Sequence, residues 1–138
     1  SSALVELLDL TATLLDLAGL DQPDYLQGIS LLPILMGESK SSHHRDFVRS
    51  EYFDALDPHF TGGEGTFATM FRDTRYKLCV YHGKDIGELY DLKNDPWEHN
   101  NLWDAPAETE TKNQLLARSF DAHVLLTTDM GSRRIAPM

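Results

Sequence analysis

From Leu4 the apolar positions fall at Leu7, Leu8, Leu14, Leu15 and Ala18, with Thr11 among them. That spacing is one stripe of an amphipathic helix. Gly19 is a natural stop, and Pro23 soon after it cannot continue a helix. Ser30 to Gly37 reads as a short apolar helical turn, with Pro33 at its start and Gly37 at its end. Glu38 to Arg45 reads as a polar surface segment. The adjacent His43 and His44 within it point in different directions, so a solvated loop suits them better than a shared metal site.

After Arg45 the period changes from helical to two. Asp46 to Phe53 alternates, with Phe47, Arg49, Glu51 and Phe53 on one side. Thr66 to Arg72 places Phe67, Thr69 and Phe71 together, and Tyr76 to His82 sets Leu78 and Val80 opposite Lys77, Cys79 and Tyr81. Glu88 to Leu92 is the last strand, and Asn94-Asp95-Pro96 stops it. The connections at 73–75 and 83–87 suit hairpins, so an antiparallel meander is the economical topology. Asn101 is placed to cap a helix, with Asp104 completing a partial capping box. The final helix starts near Pro106 and carries Leu115, Leu116, Phe120 and Val124 on one face. The fold class expected is α+β: a small antiparallel sheet of about four strands packed with an N-terminal and a C-terminal helix. Residues 1–138 read as one domain, with a helical lead-in at 1–37, strands over 46–92 and a C-terminal helix at 106–126.

Composition narrows the classes. A 138-residue chain with 41% hydrophobic and 9% aromatic residues is an ordinary globular domain. No apolar run reaches the ~20 residues that span a bilayer. The leading residues carry acids among the leucines and lack the basic region of a signal peptide. Without an initiating Met, the chain reads as a piece of something longer. A net charge of -10 argues against nucleic acid, which is bound through clustered Lys and Arg. Cys79 is the sole cysteine, so no internal disulfide forms.

Glu88-Leu89-Tyr90-Asp91-Leu92-Lys93-Asn94-Asp95-Pro96-Trp97-Glu98-His99-Asn100-Asn101-Leu102 has the form ELYDL-x-x-DP-x-E-x-x-NL. It resembles the signature near the carboxyl end of sulfatases. Upstream, Asp9 to Gly19 is similar to the pattern D-x-x-P-T-L-L-x-L-A-G of that family, with Ala12 where Pro is usual. Gly28 to Leu35 is similar to its G-x-S-L-x-P-L-L, and Arg72 to Leu78 to its R-x-x-x-Y-K strand pair. Any one segment is a weak signal; the set of them in order, from Leu4 to Leu102, is specific. Relatives of the sulfatases that cleave phosphonate monoesters and phosphodiesters carry similar segments.

The resemblance implies the C-terminal subdomain of a sulfatase, a hydrolase of sulfate esters in the alkaline phosphatase superfamily. An alternative is the same subdomain of a phosphonate monoester or phosphodiester hydrolase, or a non-enzymatic interaction module on this fold. The family's cofactors are a divalent cation, Ca or Mn, and a formylglycine made from C-x-P-S-R or S-x-P-S-R. Cys79 is followed by Val80-Tyr81-His82, so it is not that nucleophile. No catalytic or metal-binding residue is expected in this chain, and alone it should cleave nothing. Its implied partners are its own upstream catalytic domain and, in the parent, an anionic ester substrate. The apolar lead-in also suggests self-association when the piece is separated. One substrate-binding candidate remains: His59, in the Gly-rich loop Asp57 to Gly65 between two strands, a composition that permits close approach to a ligand.

Overall fold

The computed structural model describes residues 1–37, 43–54 and 65–128. The elements are α1 (Leu8–Leu17), α2 (Leu32–Leu35), β1 (Phe47–Phe53), β2 (Phe67–Asp73), β3 (Tyr76–Tyr81) and β4 (Gly87–Asp91). A 3-10 turn (Pro106–Glu108) leads into α3 (Thr109–Thr128). The chain divides into two compact units, one holding residues 1–45 with the chain from Phe120 onward, the other Asp46–Ser119.

The second unit is an antiparallel meander in the order β1-β2-β3-β4. Its core is one cross-strand row. Phe71 pairs with Leu78, and Leu78 with Leu89, and all of them are buried. Phe47 stacks on Phe71 with ring centroids 5.0 Å apart. Helix α3 lies over this same face: Leu115 is buried, and the Arg118 guanidinium sits 5.1 Å from the Phe71 ring centroid. Arg118 also donates to Asp73 at 2.6 Å. The fold is α+β, and the two-residue alternation from Phe47 onward is what sets its register.

In α3 the buried positions are Leu115 and Ala122, whereas Phe120 is 68% exposed. Of the expected face through Leu115, Leu116, Phe120 and Val124, Leu115 is buried and Leu116 half-buried, while Phe120 and Val124 are exposed. A stripe read from apolar residues alone overlooks alanine, which packs closely without a large side chain.

Helix α1 departs further from its pattern. It buries Asp9, Ala12 and Thr13 and leaves Leu7, Leu10, Leu14 and Leu17 more than half exposed. Small and hydrogen-bonding groups attach it to its own unit, while its leucines point outward. The stripe predicted from the leucines is real, but within this unit it is the outer face.

Candidate functional site

Asp9 is completely buried, an arrangement that an ionised carboxylate tolerates only with donors around it. Its Oδ2 accepts from the Glu6 amide at 2.9 Å and from Arg45 Nε at 3.1 Å. Its Oδ1 accepts from the Ile29 amide at 2.8 Å and from Arg45 Nη2. Burial by itself would raise this carboxyl, but the Arg45 guanidinium and the two amides outweigh it and bring the pKa down to about 2. Glu6 is a second carboxylate on Arg45, 3.6 Å from Nη1. Thr13 completes the attachment: its hydroxyl donates to the Asp9 carbonyl at 2.6 Å and accepts from the Leu31 amide at 2.8 Å. Gly28 must be glycine, because a Cβ there would lie 2.3 Å from the Leu8 carbonyl oxygen. Ser30 donates to Asp16 at 2.5 Å. The segments Asp9–Gly19 and Gly28–Leu35 are thus two halves of one hydrogen-bonded assembly.

Glu38 to Arg45 is expected to be a polar surface segment; of its described residues His43 is exposed, but His44 and Arg45 are not. The Arg45 side chain is 10% exposed and that of His44 5%. His44 Nε2 lies 3.3 Å from Asp9 Oδ2 but makes no hydrogen bond among the described residues. Asp9 draws Arg45 inward as its counter-ion, and His44 follows in sequence. A buried Asp on an otherwise apolar helix was the available signal that a cation had to come to it.

In the second unit the signature around β4 forms a clamp on the sheet. Asp91 is buried and accepts from Arg75 Nη2 at 2.8 Å, from the Lys93 amide and from Asn94 Nδ2. The Arg75 hydrogen bond is the main reason its carboxyl lies below the usual range. Glu98 pairs with Lys77 at 2.6 Å. Glu88 accepts from the Tyr81 hydroxyl at 2.8 Å, which pushes that phenol up to about 12. Asn101 does not cap a helix. Its Oδ1 accepts from the Leu89 amide at 3.0 Å and its Nδ2 donates to the Gly87 carbonyl at 3.0 Å. The side chain thereby occupies the outer edge of β4, and helix α3 begins only after Pro106. Asn is expected to cap because it serves nearby amides; here its Oδ1 accepts from the Trp103 amide at 3.0 Å as well as from the strand, in a turn and not at a helix start.

None of these groups is arranged for chemistry on a substrate. Cys79 is half-buried and burial raises its thiol, the opposite of what a nucleophile needs. Among the described residues no group of three or more His, Cys, Asp or Glu could hold a metal ion. The nearest arrangement, Asp9 with His44, has Arg45 at its centre, and that cation excludes another. The described residues therefore do not fit a divalent cation or a formylglycine. His59 and its loop lie outside the described residues apart from Gly65, whose Cβ position would be 2.8 Å from Asp54 Cγ.

Residues 1–123 match the profile of a family described as "N-sulphoglucosamine sulphohydrolase, C-terminal". The chain belongs to the sulfatase family. It is 42% identical over 95 residues to a Delta 4,5-hexuronate-2-O-sulfatase of Bacteroides thetaiotaomicron, covering 69% of this chain and 18% of that protein. It is 30% identical over 118 residues to an N-acetylglucosamine-6-O-sulfatase of the same organism, covering 84% of this chain and 20% of that one. Among solved structures, a 2-O GAG sulfatase superposes with a TM-score of 0.73 at 34% identity, covering 88% of this chain and 25% of that one. A phosphonate monoester hydrolase from Silicibacter pomeroyi gives 0.67 at 26% identity, with the same coverage of each chain. The chain thus spans a fifth to a quarter of these sulfatases and of the hydrolase. In sulfatase terms, the Asp9 assembly and the β4 clamp are what the family's C-terminal motifs build.

Proposed function

We propose that this chain is the C-terminal part of a hydrolase that cleaves sulfate esters of a saccharide, and that it is not catalytic by itself. The observation that carries the reading is the division of labour in its motifs. The polar motif residues Asp9, Thr13, Ser30, Glu88, Asp91, Asp95, Glu98 and Asn101 are already engaged in holding the local structure, and the described residues offer neither nucleophile nor metal ligands. The sulfated sugars in the names of its relatives favour a saccharide over a phosphonate, and so does the higher identity to the GAG sulfatase. In the parent, a divalent cation (Ca or Mn) and a formylglycine of the catalytic domain would supply the Lewis acid and the attacking oxygen. The outward leucines of α1 support a packed catalytic domain on that side. Separated from it, the piece should self-associate, which sedimentation would detect.

The test compares full-length protein on a sulfated disaccharide, on 4-nitrophenyl sulfate and on a phenyl phosphonate monoester. Faster turnover of the phosphonate overturns the reading, and so does metal-dependent turnover by residues 1–138 alone. Within the same reading, the loop 57–65 stands at the rim of the substrate pocket and His59 contacts substrate. His59→Ala should raise KM without changing thermal stability; identical kinetics on several substrates would leave the loop a connector.

A further inference from the structure

The turn after β4 presents an indole to solvent. Trp97 is 79% exposed, although this side chain gains more than most from burial. The turn beneath it is heavily held. The Asp95 amide donates to the Asp91 carbonyl at 2.7 Å, the Glu98 amide to the Asp95 carbonyl at 3.2 Å, and the Asn100 amide to Asp95 Oδ2 at 2.7 Å. Glu98 adopts φ 59°, a left-handed conformation that costs a residue other than Gly about 1–3 kcal/mol. The 2.6 Å ion pair to Lys77 keeps it there. By contrast, Trp103 lies against Gly87 and beneath the Lys112 ammonium. One short segment therefore packs one indole and displays the other.

Trp97 also stands at an unspecified position of DP-x-E, so forming the turn does not require an aromatic there. Exposed Asn94, His99 and Asn100 lie on either side of it in the chain, groups able to bond sugar hydroxyls.

We propose that Trp97 is a stacking platform for a pyranose ring of a saccharide. The apolar C–H face of such a ring complements the negative face of an indole. The proposal rests on the saccharide reading given above. With a net charge of -10, these 138 residues are unsuited to capturing a sulfated chain by long-range attraction of their own. A ring-stacking contact is neutral, so its affinity should not depend on salt.

The experiment uses the full-length hydrolase with a heparin-derived tetrasaccharide and its desulfated counterpart, following saccharide resonances by saturation-transfer NMR. Wild type should bind both, with affinity unchanged by added salt. Trp97→Ala should weaken both about tenfold, the size of one aromatic contact, while Trp97→Phe keeps most of the affinity. Hydrolysis of 4-nitrophenyl sulfate and the melting temperature should be the same in all of them. Equal binding by Trp97→Ala overturns the proposal, as does binding that disappears on desulfation or with salt. A lowered melting temperature also overturns it, because Trp97 would then be packed against the rest of the protein. If wild type binds the saccharides but releases sulfate from neither the tetrasaccharide nor the aryl sulfate, the hydrolase reading fails and the platform stands.

Discussion

Asp9→Asn removes one charge and replaces one acceptor by a donor inside a fully buried cluster. Whichever way the amide is turned, its NH2 group meets donors. On one side are the Glu6 amide at 2.9 Å and Arg45 Nε at 3.1 Å; on the other, the Ile29 amide at 2.8 Å and Arg45 Nη2. Each buried donor left without an acceptor costs about 1–3 kcal/mol. Arg45 loses its close counter-ion and keeps only Glu6 at 3.6 Å. A loss of about 3–5 kcal/mol is the expected total for breaking such a pair. Tryptophan fluorescence would miss it, because Trp97 and Trp103 both belong to the other unit. Amide hydrogen exchange at Ile29 and Leu31 reads the assembly directly, and should accelerate about a hundredfold or more. Adding Arg45→Met should cost less than the two single changes summed, since it removes the stranded cation. Exchange at Ile29 within about twofold of wild type would refute the reasoning, since the lost acceptors alone exceed that by orders of magnitude.

Other expectations follow from the same geometry. The folded Asp9 carboxyl, at about 2, lies below its ordinary 3.8; its contribution to stability is therefore complete above the ordinary value and disappears as pH falls toward 2. Urea unfolding of that unit between pH 5 and 2 should show this decline in wild type and lack it in Asp9→Asn. Gly28→Ala forces a Cβ to within 2.3 Å of the Leu8 carbonyl oxygen and should destabilise by about 1–3 kcal/mol; an unchanged melting temperature would contradict the close approach. Asn101→Ala leaves the Leu89 amide and Gly87 carbonyl without their partners. It should cost about 1–3 kcal/mol and speed exchange at Leu89 selectively, with other sheet amides as the internal control.

The sheet was readable because its alternation is strict: Phe71, Leu78 and Leu89 each sit where a period of two puts them. Boundaries at Phe47 and Asp91 likewise lie within a residue of their expected positions. The helices were less readable for a specific reason. Periodicity identifies a face but not which way it points, and the side of α1 that its own unit buries is held by Asp9 and Thr13 rather than by leucine. The Asp9–Arg45 pair joins positions 36 residues apart, beyond the reach of any local pattern. Asn101 misled because capping a helix and closing a strand edge demand the same side-chain amide; the distinction is where Leu89 lies in space.

Asn101 has a consequence for how the sheet can grow. The Asn101 side chain and the Leu102 amide together take the outer Leu89 and Gly87 groups of β4, so a further strand cannot pair there. Removing the Asn101 side chain frees the Leu89 amide and the Gly87 carbonyl but leaves the Leu102 amide on the Leu89 carbonyl at 2.8 Å. The margin of the sheet is thus sealed twice over, by one side-chain amide and by one backbone amide of the same segment, and the loss of either leaves the other as a guard against an incoming strand.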